Sequence, residues 1–209
     1  MESRADERVV YLVGEIDKNV SGAVIANLLA LDQRSHDPIR LFIKTNGGYW
    51  EEAALISDMI LRHIKSPVIT IAIEASSSGF SVLVSGNIRL AFEKAKFVVH
   101  DAYEEFTAAD VGKHWTEKEH RHEADDLSRI NRLDLRRCTG RRTTHMVKCK
   151  LNAKQLAKKV AEAKDGEYKF GAAEAHDMGF VDAVIKSVDA IPFYEQKLKM
   201  SYLSKKGKK

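Results

Sequence analysis

The feature that most constrains this chain is a threefold alternation of strand and helix patterns within its first 86 residues. Arg8 to Gly14 is a short apolar run rich in β-branched residues, and from Lys18 to Leu31 apolar residues recur at three and four, so a strand is followed by a helix. The pattern returns with Pro38 to Lys44 and Trp50 to Ile64, and again with Pro67 to Ile73 feeding Ser77 to Val84. Three βα units in succession predict a mostly parallel sheet with right-handed crossovers, an α/β fold. Ile88 to Ala91 and Phe97 to His100 read as two further short strands, Ala172 to Met178 as a helix capped by Gly179, and Val181 to Ile185 as a last strand. With 209 residues, 44% of them apolar, the expected unit is a single domain over residues 1–209.

Between these parts the pattern changes. Asp110 to Arg137 has no proline, one glycine and heavy charge, which predicts a long helix projecting from the sheet, within a projection spanning about residues 104–164. Glu104 to Asp126 holds eight acids against three bases, whereas Arg141 to Lys164 holds eight bases against one acid. Leu151, Leu156, Ala157 and Val160 could share one helical face there. A helix of 28 residues would be about 42 Å long, more than one small domain can cover, so its apolar positions call for a second copy of the chain.

The net charge of +4 suggests nucleic acid until its location is read. Six of the 34 basic residues (Lys197, Lys199, Lys205, Lys206, Lys208 and Lys209) follow Glu195, which leaves 28 bases against 30 acids in the body. Residues 197–209 read as a solvated, frayed basic tail, and no basic face with interleaved aromatics supports nucleic-acid binding. The longest apolar runs fall far short of the roughly 20 residues that span a bilayer, so no membrane role is expected. The opening residues lack the apolar run of a secretory signal, and Cys138 and Cys149 show no paired spacing. The expected setting is soluble, reducing and cytoplasmic.

Three segments could carry chemistry. Thr45-Asn46-Gly47-Gly48 lies where a strand passes into a helix, and its adjacent glycines offer unhindered N–H groups to a phosphate or an oxyanion, or simply make a tight turn. Glu74-Ala75-Ser76-Ser77-Ser78-Gly79 holds the same place in the third unit, where a serine feels the positive helix end or serves as an N-cap; it is not a Gly-x-Ser-x-Gly elbow. His100 ends an apolar strand at the rim where α/β sheets place ligands. His114, His120 and His122 lack the i, i+4 spacing of helical zinc ligands, so neither a metal nor any other cofactor is expected.

Taken together, Tyr11-Leu12-Val13-Gly14-Glu15-Ile16, Thr45-Asn46-Gly47-Gly48, Ser77-x-Gly79 with Gly86, Val98-Val99-His100, and Ala172-Ala173-Glu174-Ala175 with Gly179 and Asp182 follow one order and spacing. From about Val9 to Ile185 the chain resembles the Clp protease proteolytic subunit (ClpP) family, as a divergent member. The resemblance implies a ClpP/crotonase-like fold with a long handle helix, and a serine endopeptidase that cuts peptides or unfolded chains inside stacked homo-oligomeric rings. It implies an activity that is ATP-independent or assisted by an ATPase unfoldase. By position it makes Ser77 the nucleophile, His100 the general base, the Gly48 and Ser78 N–H groups the oxyanion hole, and Thr45, Asn46 and Gly47 the substrate-binding loop. The family's aspartate position holds Glu167, with Asp165 two residues earlier. The eight residues before Val9 leave little of the family's N-terminal segment, and Arg141 to Lys164 is longer than its family equivalent. The other readings are a catalytically weak or inactive ring or scaffold subunit and a crotonase-type acyl-CoA enzyme.

Overall fold

The computed structural model describes residues 8–101 and 149–206. The expected projecting helix, Cys138, His114, His120 and His122 lie outside these residues, as do residues 141–148 of the basic segment.

A six-stranded sheet organises the molecule. Strands β1 (Val9–Val13), β2 (Ile39–Thr45), β3 (Val68–Ser76) and β4 (Ile88–His100) pair side by side in parallel, and helices α1 (Lys18–Arg34), α2 (Trp50–Asp58) and α3 (Ser78–Leu83) make the crossovers. Alternation along β2 sends Ile39, Leu41 and Ile43 under the helices, as a strand covered on one face requires. The last turn after α2 is wound as a π-helix, Met59–His63, so the helix expected to Ile64 closes with a wider turn.

The two short strands expected at Ile88 to Ala91 and Phe97 to His100 are one strand, β4. Its two halves have different neighbours, which is why their patterns look separate. Leu90 to Phe92 pair in parallel with β6 (Ala183–Ile185), and Lys96 to His100 pair antiparallel with β5 (Glu167–Gly171). Against β3 the register jumps from Ala72 opposite Ala91 to Glu74 opposite Lys96, so β4 carries four residues across the span of one.

Beyond Cys149, helix α4 (Ala153–Ala161) begins with a capping box between Asn152 and Gln155 and buries Leu156 and Val160, two members of the apolar face expected from the sequence. Helix α5 (Ala172–Asp177) is followed by Gly179 at φ +78°, whose N–H bonds the His176 carbonyl. Residues 197–206 of the tail expected to fray lie within helix α6 (Ile191–Lys206). It packs Ile191 and Leu198 onto Ile69, Ile71, Ile88 and Leu90 on the outer sheet face. Glu195 receives the Arg40 guanidinium at 2.5 and 3.0 Å, and Lys199 pairs with Asp37 at 2.8 Å. No helix among the described residues is long and apolar enough to cross a membrane.

Asp182 lies just before β6. Its carboxylate takes the Arg89 side chain at 2.9 and 3.0 Å and the Arg89 N–H at 2.8 Å, while its own N–H donates to the Arg89 carbonyl at 2.7 Å. This nearly buried pair fixes the approach to β6 against the start of β4.

Candidate active site

Ser77 stands alone between the end of β3 and the start of α3, with φ +53° and ψ −129°. It is the only described residue other than glycine with positive φ. A side chain in that conformation costs of order 1–3 kcal/mol and persists only where its surroundings enforce it. Here the Ser77 N–H donates to the Val98 carbonyl at 2.8 Å and the Ser77 carbonyl accepts from Phe80 at 3.0 Å. The result is a sharp strand-to-helix elbow that lifts the hydroxyl off the strand, although the Gly-x-Ser-x-Gly sequence is absent. Ser77 is half-buried, whereas Ser76 and Ser78 are buried on either side. The Ser78 hydroxyl donates to the Gly48 carbonyl at 3.0 Å.

The glycines around the elbow answer to close approach. A Cβ on Gly47 would stand 2.6 Å from the Ser77 Cβ, one on Gly48 would meet the Ile16 backbone at 2.6 Å, and one on Gly79 would lie 2.3 Å from the Thr45 methyl. Thr45 is buried; its hydroxyl accepts the Gly47 N–H at 2.9 Å and reaches the Gly47 carbonyl at 3.2 Å, while Asn46 is exposed. The loop is also fastened to Ile16, which donates to Gly47 at 2.8 Å and accepts from Tyr49 at 2.9 Å. The N–H groups of Gly48 and Ser78 have no acceptor among the described residues.

His100 ends β4 and is partly exposed. Its Nδ1 lies 2.6 Å from the Asp101 carbonyl. A carbonyl can only accept, so Nδ1 is the donor, and in the neutral ring Nε2 then carries the lone pair, the tautomer a general base needs. Glu167 is the first residue of β5 and the antiparallel partner of His100. It therefore belongs to a strand and not to a turn. The turn lies just before it, with Gly166 at φ +73° and the Asp165 carboxylate accepting the Glu167 N–H at 3.2 Å. Both carboxylates reach the same cation: Lys169 Nζ is 2.7 Å from Asp165 Oδ2 and 2.7 Å from Glu167 Oε2. Its bond with Lys169 holds the Asp165 carboxyl below its ordinary range, and bonds with Asp165 and Glu167 hold the ammonium above its own.

Four rings brace these positions. Phe80 meets Phe97, Phe170 and Phe180 edge-on, with centroids 5.9, 5.6 and 5.0 Å apart. Phe80 is three residues beyond Ser77, Phe97 three before His100, and Phe170 three beyond Glu167. One aromatic cluster thus joins the elements that carry the three candidate residues. Among the described residues no three His, Cys, Asp or Glu side chains converge as a metal site.

The family model for Clp protease matches residues 1–188. This chain belongs to the Clp protease family. ATP-dependent Clp protease proteolytic subunit 2 of Prochlorococcus marinus (strain MIT 9313) is 28% identical over 189 residues, covering 86% of this chain and 82% of that one. A mutant of ClpP1 from Listeria monocytogenes matches with a TM-score of 0.66 at 26% identity, over 88% of this chain and 94% of that one. The α/β fold is therefore the ClpP fold, and family membership supports a peptidase-type activity.

Proposed function

We propose that this Clp protease family member is a serine endopeptidase that uses Ser77, His100 and Glu167. The observation that carries the reading is the strained Ser77 elbow beside two N–H groups that have no acceptor among the described residues. His100 Nε2 takes the Ser77 proton as Oγ adds to the scissile carbonyl, and the resulting oxyanion lies between the Gly48 and Ser78 N–H groups. The imidazolium then protonates the amine as the C–N bond breaks. Water, deprotonated by the same imidazole, releases the acid and restores Ser77. Glu167 stabilises the imidazolium from the opposing strand. No cofactor enters. Thr45, Asn46 and Gly47 would line the bound peptide, and Gly47 and Thr45 already brace the elbow.

The same reading places the chain in a homo-oligomeric ring in the cytoplasm that admits peptides or unfolded chains, alone or with an ATPase unfoldase. Support comes from the family membership. The test is incubation with a fluorophosphonate followed by mass spectrometry, with turnover measured on a short fluorogenic peptide. Ser77 is expected to carry the phosphonyl group, and Ser77→Ala and His100→Ala are expected to abolish labelling and turnover. Glu167→Gln is expected to lower turnover by up to about 10⁴-fold and Asp165→Asn to leave it within a few-fold. Labelling at Ser76 or Ser78 instead would overturn the assignment of Ser77, and no labelling at all in a folded oligomer would favour the scaffold reading.

A further inference from the structure

The β4/β5 ladder sets two rows on one face of the sheet. Directly opposed residues of an antiparallel pair share a face, and so do residues two apart on one strand. His100 opposite Glu167 makes one row, and Val98 opposite Lys169 makes the next. Val98 is also the residue whose carbonyl holds the Ser77 N–H. Lys169 thus occupies the row tied to the nucleophile, one step from the row of base and acid, and its ammonium is bonded to Glu167 at 2.7 Å. The neighbours Tyr168 and Phe170 turn to the other face, where Phe170 is buried in the aromatic cluster.

We propose that Lys169 is a positioning residue that restrains the site by sharing the Glu167 carboxylate, so that the acid is only partly available to His100. This rests on the peptidase reading above. The carboxylate's help to catalysis is its negative charge, aimed at the imidazolium that forms when Ser77 loses its proton. An ammonium in contact with that carboxylate offsets the charge and holds the side chain toward the Val98 row. Asp165 completes the restraint from behind, at 2.7 Å from the same ammonium, and keeps Lys169 in place at the start of β5. All three side chains are about half exposed, so the restraint is weak enough to yield. It sets a low resting rate without abolishing activity.

The test uses the full chain in its native assembly. The rate of Ser77 phosphonylation, and kcat and KM on a fluorogenic peptide, are compared for the wild type, Lys169→Met, Lys169→Arg, Glu167→Gln and the Lys169→Met/Glu167→Gln double variant. Lys169→Met keeps most of the length and loses the charge, and should raise kcat about 2- to 5-fold with KM within about twofold, the range expected for releasing an exposed ion pair. Lys169→Arg keeps the pair and should stay within about twofold of the wild type. The gain should vanish in the Glu167→Gln background, because it acts through that carboxylate. A purely structural lysine would give no gain in kcat and no dependence on Glu167. The inference is overturned, with the peptidase reading intact, if Ser77 labels normally while Lys169→Met matches or falls below the wild type, or if the gain survives in the double variant. Absence of Ser77 labelling in both the wild type and Lys169→Met would overturn the peptidase reading, and the restraint with it.

Discussion

Gly47 and Gly14 offer a matched pair of substitutions that separates backbone strain from damage to the candidate nucleophile. Both have positive φ, +113° and +88°, so alanine at either site is forced into a region that costs about 1–2 kcal/mol. At Gly14 that is the whole penalty, since a Cβ there meets nothing within 4 Å. At Gly47 the methyl would stand 2.6 Å from the Ser77 Cβ and 3.1 Å from its Oγ, against ordinary contacts that begin at 3.4 Å. About 0.8 Å must be taken up, and Gly47 cannot supply it, because Thr45 holds its N–H and Ile16 holds its carbonyl. Ser77 must move, and a displacement of about 1 Å at a reacting group can cost roughly 10²-fold in rate. Thermal melting and the rate of fluorophosphonate labelling give the two readouts. Gly14→Ala should melt about 2–8 °C lower and label at the wild-type rate. Gly47→Ala should melt at least as low and label about 10²-fold more slowly. Normal labelling in Gly47→Ala, or equal slowing in Gly14→Ala, would refute the assignment of Gly47 as the wall behind the nucleophile.

Two further substitutions test the packing around that site. Arg89→Met leaves the nearly buried Asp182 carboxylate without its guanidinium, and should cost about 3 kcal/mol by thermal melting, with partial recovery on adding Asp182→Asn; a loss under 1 kcal/mol would mean that the pair does not fasten β6. Ser57 is fully buried in α2 with a hydroxyl that has no hydrogen-bond partner among the described residues, so Ser57→Ala should raise stability by about 1 kcal/mol with unchanged labelling. A lower melting temperature would show instead that the hydroxyl is satisfied.

What the sequence disclosed was the part that depends on near neighbours. The βα alternation is legible because each strand and helix declares its own period, and the boundaries of β1, β2 and α1 fall within a few residues of expectation. The unity of β4 was not legible, because its two halves look different only by virtue of β5 and β6, which arrive some 70 and 90 residues later. Helix α6 was hidden for a related reason. It buries Ile191 and Leu198 while leaving Phe193 and Met200 exposed, so no clean apolar stripe marks it among the lysines. Ser77, His100 and Gly48 each carry a weak local signal and stand out only through their joint order. The strain at Ser77 could not be read at all, since nothing in Ser76-Ser77-Ser78 distinguishes the middle serine until Gly47 closes behind it. Lys169 had one overlooked sign, the polar-apolar alternation of Glu167-Tyr168-Lys169-Phe170, which puts it on the face of Glu167 once the segment is recognised as a strand.

The division between Lys169 and the aromatic cluster has a physical meaning. Phe80, Phe97 and Phe170 sit three residues from Ser77, His100 and Glu167 and are packed against one another in the core, so each candidate catalytic position inherits its rigidity from a ring that cannot move without disturbing the other two. Substitution there changes fold and site together. Lys169 reaches the same acid from the solvent side through an exposed ion pair whose loss disturbs no core contact. The rate of such a site can therefore be adjusted at position 169 while the elbow, the base and the acid keep their places, which is why the charge there, and not the packing beneath it, is where this chain's activity would be tuned.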